Sequence, residues 1–239
     1  MIACLTSSPF TPGTPYLNPM NGMIRRLRAA VTPNCGMLFV ASDPAAPEKT
    51  DRFSRDMYEA FAFAGFSFSS FQVLDDRNAS RAAELVKAAR LIVLAGGHVP
   101  TQNAFFRRIG LKQWLAGFPG VVLGISAGSM NSAETVYAQP EEEGEVISPA
   151  YQRFLPGLGL TKVMLLPHYQ MVKHDVVDGF RVFEDVAYPD SVGRKFYAIP
   201  DGSYLWRENG SEALLGEAYL IQDGVLRQVG RENDALENP

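Results

Sequence analysis

One serine in this chain sits in a setting that could make it a nucleophile. The segment Gly124-Ile125-Ser126-Ala127-Gly128 follows the G-x-S-x-G pattern, in which small residues two places before and after a serine let the backbone turn tightly from a strand into a helix. Such a turn lifts the hydroxyl clear of the sheet and aims the next backbone N–H, that of Ala127, at the place where an oxyanion would form. The pentapeptide alone also fits a glycine-punctuated turn in any α/β protein, so the partners of Ser126 decide its reading. A serine hydroxyl needs a base to take its proton, and the base works best when a carboxylate orients it. Of the three histidines, His168 follows an apolar run ending at Leu166 and His98 follows Leu91 to Gly97, whereas His174 lies in the polar stretch Lys173-His174-Asp175. The carboxylate candidates are Asp201, held between Pro200 and Gly202, and, second to it, Asp175. The resulting order of Ser, His, Asp differs from the Ser, Asp, His order of α/β-hydrolases.

These residues need a frame, and the hydrophobic pattern supplies one. Short apolar runs predict buried strands at Ile2 to Thr6, Met37 to Ala41, Leu91 to Ala95 and Val121 into the serine turn, with a further strand over Phe66 to Leu74. Apolar residues at helical spacing predict a short helix carrying Met23, Leu27 and Ala30, and a longer one through Phe53, Met57, Phe61 and Ala64, capped by Thr50 or Asp51. Asn78 or Ser80 opens another through Ala82, Leu85, Val86 and Ala89, and Thr101 caps one through Phe105, Phe106, Ile109 and Trp114. Strands alternating with helices imply βαβ units and a mostly parallel sheet flanked by helices, with ligands gathered at the carboxyl ends of the strands. Gly96-Gly97, Ser126 and His168 all fall at such ends on one rim. Beyond Ser126, residues 139–145 include Pro140-Glu141-Glu142-Glu143-Gly144-Glu145, a solvated acidic loop that could border a cleft. Strands at Lys162 to Leu166 and Lys195 to Ile199 flank a helix expected through Val176, Val177, Phe180, Phe183 and Ala187. The tail reads as two β-hairpins turning at Asn209-Gly210 and Asp223-Gly224, with Ala213 to Ile221 as one run between the turns. Nothing in residues 1–239 calls for a second domain.

Composition narrows the partners. The chain has 239 residues, 46% of them hydrophobic, so a core of ordinary size is available. A formal net charge of −4 argues against a nucleic-acid partner, which usually demands a basic face, and for a small molecule or peptide. No apolar run approaches the roughly 18 residues of a membrane span, and the start of the chain lacks a basic segment ahead of an apolar one. No membrane partner is expected, and the cytoplasm is the expected location. Cys4 and Cys35, the two cysteines, lie in apolar segments and read as buried thiols rather than a disulfide. The histidines lack carboxylates or thiols at ligand spacing and Gly96-Gly97 lacks the continuation of a phosphate loop, so neither a metal nor another cofactor is expected.

Taken together, Leu94-Ala95-Gly96-Gly97, Gly124-Ile125-Ser126-Ala127-Gly128-Ser129, Leu166-Pro167-His168-Tyr169 and Ile199-Pro200-Asp201-Gly202-Ser203 resemble the motifs of the peptidase E family in order and spacing. That family includes aspartyl dipeptidases and cyanophycinases. The resemblance, which covers residues 2 to 206, implies a class I glutamine amidotransferase-like fold, a flavodoxin-like three-layer α/β arrangement. It implies Ser126 as nucleophile, His168 as general base, Asp201 as third triad member, and Gly97 and Ala127 as oxyanion-hole donors, with His98 and Tyr169 as candidates for substrate contact. Asp201 stands where the family often has Glu, and His98 where it commonly has Asn. The implied activity is a dipeptidase-like serine peptidase acting on a small peptide or amino-acid amide, with a preference for N-terminal Asp; a homodimer is compatible with it. A substrate aspartate needs a cation or donor set, for which Arg153, Lys162, Lys173 and Arg194 are the candidates. An esterase and a non-catalytic small-molecule-binding module on the same fold are the competing readings. Amidotransfer is not, because such domains carry cysteine in place of Ser126.

Overall fold

The apolar runs at the start of the chain become strands that pair side by side, as a computed structural model spanning residues 1–239 shows. These are β1 (Ile2–Thr6), β2 (Cys35–Val40), β3 (Phe68–Leu74), β4 (Leu91–Leu94) and β5 (Val121–Ile125). All pair in parallel, in the order β1-β5-β4-β2-β3. Thr6 lies opposite Ile125, and Leu94 opposite Gly124. The carboxyl ends of β1, β5 and β4 are therefore level, and the residues that follow each strand meet on one rim.

Helices cover both faces because the buried strands are apolar on both. On one face α1 (Met23–Ala30) and α2 (Pro47–Phe63) press Leu27, Met57 and Phe61 against Met37, Phe39, Val93 and Leu123. On the other α3 (Ala82–Ala88), α4 (Val99–Arg108) and α5 (Leu111–Leu115) press Leu85, Phe105 and Leu111 against Leu38, Ile92 and Val122. Successive residues of β2 alternate between the two cores, the period of two that a strand imposes. Two helices start earlier than their expected caps. Pro47 opens α2, its missing N–H costing nothing at that position, which leaves Thr50 inside the helix. Likewise α4 opens at Val99 with His98 as its N-cap residue, and Gly110, at φ 64°, ends it and puts Trp114 on α5.

Past α6 (Ala127–Met130) the chain leaves the main sheet. A two-stranded ladder, β6 (Thr135–Tyr137) with β7 (Phe154–Pro156), frames the acidic loop. Next come β8 (Met164–Leu166) and α7 (Tyr169–Val172). The helix expected over residues 176–187 forms only in its second half, as a π-helical turn at Val182–Ala187. Its first half is a hairpin of β9 (Val176–Val177) and β10 (Phe180–Arg181). Asp178 and Gly179, at φ 53° and 82°, take the two left-handed positions of a tight hairpin turn, and that local preference overrides the helical spacing of the valines and phenylalanines.

The remaining strands are β11 (Lys195–Ala198), β12 (Tyr204–Glu208), β13 (Ser211–Leu215), β14 (Ala218–Gln222), β15 (Val225–Gly230) and β16 (Ala235–Glu237). Antiparallel β12, β13 and β16 extend the main sheet beyond β1 to eight strands, whereas β8, β11, β14 and β15 form a second sheet of four. Thus β8, the strand before His168, belongs to the second sheet and not to the main one as the sequence suggested. Both tail hairpins form, but the run from Ala213 to Ile221 breaks at Gly216, φ 97°, and each hairpin joins a different sheet. Cys4 and Cys35 are free and buried. No helix is long and apolar enough to cross a membrane.

Candidate active site

Ser126 ends β5 and turns the chain into α6 with φ 48° and ψ −113°, a conformation that costs a non-glycine residue on the order of 1–3 kcal/mol. The surroundings hold it there. Its N–H donates to the carbonyls of Thr6 and Ser7, both at 3.1 Å, and its own carbonyl accepts from Ser129 and Met130 at 2.8 and 3.0 Å. The turn has no room for larger residues: a Cβ on Gly124 would lie 2.9 Å from the Ser129 backbone, and one on Gly128 would lie 2.3 Å from the Leu94 carbonyl oxygen. The Ser126 hydroxyl is not drawn into capping α6 and stays available. Beside it passes the loop after β4, where a Cβ on Gly96 would sit 3.3 Å from that of Ser126. The N–H groups of Gly97 and Ala127 have no backbone acceptor.

His168 and Asp201 come from the second sheet. They lie just beyond the carboxyl ends of β8 and β11, which pair in parallel with Leu166 opposite Ala198. His168 also has a positive φ, 58°, as the residue before α7. Its Nδ1 donates to Asp201 Oδ1 at 2.8 Å, which leaves Nε2 as the free ring nitrogen. Ser7, the residue after β1, links the pair. Its Oγ accepts from the His168 backbone N–H at 2.8 Å and donates to Asp201 Oδ1 at 2.6 Å. Burial alone would raise the Asp201 carboxyl, but the hydrogen bonds from His168 and Ser7 outweigh it and hold the group below its usual range. Asp201 therefore stays ionised and fixes which imidazole nitrogen carries the proton. Asp175, the other carboxylate considered, does not bond His168.

Ser126 and His168 open onto one cavity of about 230 Å³. A larger cavity, about 520 Å³, lies along α4 and α5 near Pro156 to Leu158, but none of the residues suited to chemistry faces it. The smaller cavity has an apolar side of Met130, Val172, Val177 and Val182 and a polar side of Gln139, Glu141 and Asp175. No hydrogen bond joins Ser126 to His168, which does not count against the pair, since catalytic hydrogen bonds often tighten only when substrate binds. Glu141 is accessible from the cavity, yet the protein around it displaces enough water to push its carboxyl up to about 7, with Glu145 adding to the shift and His98 and His168 opposing it.

The acidic loop is pinned rather than free in solvent. His98 bonds Thr101 through Nδ1 at 2.7 Å and Glu145 through Nε2 at 2.8 Å, and the second Glu145 oxygen accepts from the N–H groups of Glu141 and Glu142. Asp178, at the tip of the β9–β10 hairpin, accepts from the N–H groups of Gly144 and Val146 at 2.7 and 3.0 Å. His98, Glu142 and Glu145 bring their ligand atoms within 4.8 Å of one another, a grouping that sequence spacing hid. Both His98 ring nitrogens are engaged in hydrogen bonds, so the grouping reads as a clasp between two loops. Tyr169 does not line the cavity; its ring packs on Phe183 and Tyr219 at 5.3 and 4.6 Å. Nor do the four cations considered for a substrate carboxylate. Arg153 pairs with Asp190 at 3.0 Å, Arg194 lies 4.4 Å over the Phe154 ring, Lys162 lines a different cavity beside Glu134, and Lys173 follows α7 outside the lining. Ser7 is the residue that sequence reading missed, since Ser7-Ser8-Pro9 looks only like the end of a strand.

The model of peptidase family S51 matches residues 3–215 of this chain. Among solved structures, the chain is similar to a peptidase from an acI-B1 Actinobacterium, with a TM-score of 0.65 at 18% identity, covering 98% of this chain and 96% of that one. It is also similar to a protein assigned as peptidase E from Listeria monocytogenes EGD-e, with a TM-score of 0.60 at 12% identity, covering 96% and 98%. Both likenesses establish the α/β fold with its large central sheet. No curated protein sequence matches the chain.

Proposed function

The chain belongs to peptidase family S51 and is a serine peptidase, and from that premise we propose a dipeptidase-like exopeptidase that works through Ser126, His168 and Asp201. Ser126 Oγ attacks the carbonyl carbon of a short peptide or amino-acid amide while His168 Nε2 takes its proton. The imidazolium so formed is stabilised by Asp201 through Nδ1–H. The N–H groups of Gly97 and Ala127 hold the oxyanion, the interaction that usually lowers such a barrier most. His168 then hands its proton to the leaving amine and the C–N bond breaks, which leaves an ester on Ser126. Water, deprotonated by the same nitrogen, releases the acid and restores the serine.

The observation that carries this reading is the chain of hydrogen bonds from Ser7 through Asp201 to His168, opening on the same cavity as the strained Ser126. The volume of that cavity, about 230 Å³, is below the roughly 300–1,000 Å³ of sites for drug-sized ligands and suits a short substrate. An N-terminal aspartate preference is not part of this proposal, because no Lys or Arg lines the cavity.

The test is turnover of a dipeptide panel by the protein and by Ser126→Ala, with fluorophosphonate labelling of Ser126. The substitution should remove cleavage by at least about 10³-fold, as losing a triad nucleophile does elsewhere, and should abolish labelling. Full turnover by Ser126→Ala would end the account. Serine-dependent turnover of esters alone would replace it with an esterase.

A further inference from the structure

The charge of the cavity around Ser126 and His168 is the opposite of what an acidic substrate needs. Its ionisable side chains besides His168 are Glu141 and Asp175. Neither carboxylate has a partner: Glu141 engages its surroundings through its backbone N–H, donated to Glu145, and Asp175 through its backbone, with Val172 and Val182. No Lys or Arg lines the cavity, Arg153 pairs with Asp190 and Arg194 lies against Phe154, and the groups able to carry positive charge that act on Glu141 are His98 and His168. A second, independent observation comes from Gln139. Its residue is 7% exposed, it lines the same cavity, and its Nε2 is buried with no hydrogen-bond partner. A buried donor left unpaired is costly and therefore rare, so the amide would be relieved by a bound molecule that brought an acceptor within its reach.

Resting on the serine-peptidase reading of this cavity, we propose that it selects substrates by a positive charge beside the scissile bond, an ammonium or guanidinium held by Glu141 and Asp175, while the Gln139 amide donates to a substrate carbonyl. The energetics agree. Although Glu141 is exposed, the protein crowded around it and the neighbouring Glu145 disfavour its ionised form and push it up to about 7, and a cation placed there would reduce that penalty. A substrate carboxylate in the same place would face two carboxylates, a like-charge rejection that confers specificity without any further contact. The charge could be the free α-ammonium of the substrate or a basic side chain, and the chemistry of the pocket accepts either.

The experiment is steady-state kinetics on dipeptides with N-terminal Ala, Lys, Arg, Asp or Glu, each with a free and an acetylated amino group. The enzymes are the unmodified chain, Glu141→Gln, Asp175→Asn and Ser126→Ala. Free-amino Ala, Lys and Arg substrates should exceed Asp and Glu substrates in kcat/KM by about tenfold or more. Glu141→Gln should raise KM for the cationic substrates by about tenfold, with kcat changed less, and should narrow the gap to Asp substrates. If the α-ammonium is the charge recognised, acetylation abolishes cleavage of Ala substrates; if a side chain is, acetylated Lys and Arg substrates stay ahead of acetylated Ala. A preference for Asp or Glu, or unchanged KM in both carboxylate variants, overturns the proposal while leaving the serine peptidase intact. Absence of any Ser126-dependent cleavage, with no fluorophosphonate labelling, defeats the peptidase mechanism and this inference with it. Asp175→Asn, on an accessible side chain, keeps the test open if Glu141→Gln fails to fold.

Discussion

The Ser7 hydroxyl touches no substrate in the proposed mechanism, yet it accepts from the His168 N–H and donates to Asp201. It fixes backbone and carboxylate together, and so sets the aim of the imidazole. Ser7→Ala should lower kcat by about tenfold or more with KM nearly unchanged, the pattern expected when an outer hydrogen bond that orients a working side chain is lost. Ser7→Thr, which keeps the hydroxyl, should recover part of the loss, an outcome that separates positioning from simple packing. Sequence reading singled out Ser126, His168 and Asp201, of which the first two share a cavity and the last two a hydrogen bond, because each follows a recognisable local pattern. It missed Ser7 because the partners of that residue lie 161 and 194 positions away and no periodicity links them. The same distance effect hid the contact between His98 and Glu145.

At the scale of elements, the strand-to-helix turn is the part most sharply dictated by its own residues. Gly128 faces the Leu94 carbonyl with space for a hydrogen only. Gly128→Ala should therefore destabilise the protein by about 1–3 kcal/mol or more, as overpacked sites do, and should appear as a lower Tm or as loss of soluble protein. The parallel strands and the helices between them were legible for a related reason: an apolar run bounded by turn residues has few alternatives. The segment from Val176 to Ala187 shows the limit. Valines and phenylalanines at helical spacing coexist there with an Asp-Gly pair, and the pair decides for a hairpin. That hairpin tip then supplies Asp178 to the acidic loop, where it accepts from Gly144 and Val146, so a local turn preference helps pin the loop that carries Glu141.

For the whole molecule, two carboxyl groups pull stability in opposite directions with pH. Asp201 titrates in the folded protein below its ordinary 3.8, so its contribution is present above that value and is lost as pH falls through the folded one. Glu141 is held up to about 7 against an ordinary 4.5. Between those two values the folded chain keeps a proton that the unfolded chain has released, so stability falls as pH rises across the window. Glu141→Gln should therefore melt higher than the unmodified protein above pH 7, with the difference closing towards pH 4.5, as thermal melts across that range would show. A gain in stability accompanied by a loss of substrate affinity is the usual trade at a binding site. What the sequence could not reveal at this scale is which sheet each strand joins. The strands β8 and β11 look like further members of the parallel series, and only the break at Gly216 and the pairing of β14 divide them from it.

That division has a consequence for how the molecule comes into being. Ser126 stands on the sheet whose parallel strands lie within the first 125 residues, while His168 and Asp201 stand on strands synthesised later. In the proposed mechanism the serine is therefore made before the histidine that would take its proton, and it stays unactivated until that histidine is in place. On that mechanism, catalytic competence requires both sheets in place and the Ser7 bridge to His168 and Asp201 closed. In refolding, activity should lag behind the recovery of secondary structure, which makes turnover itself a reporter of the last assembly step.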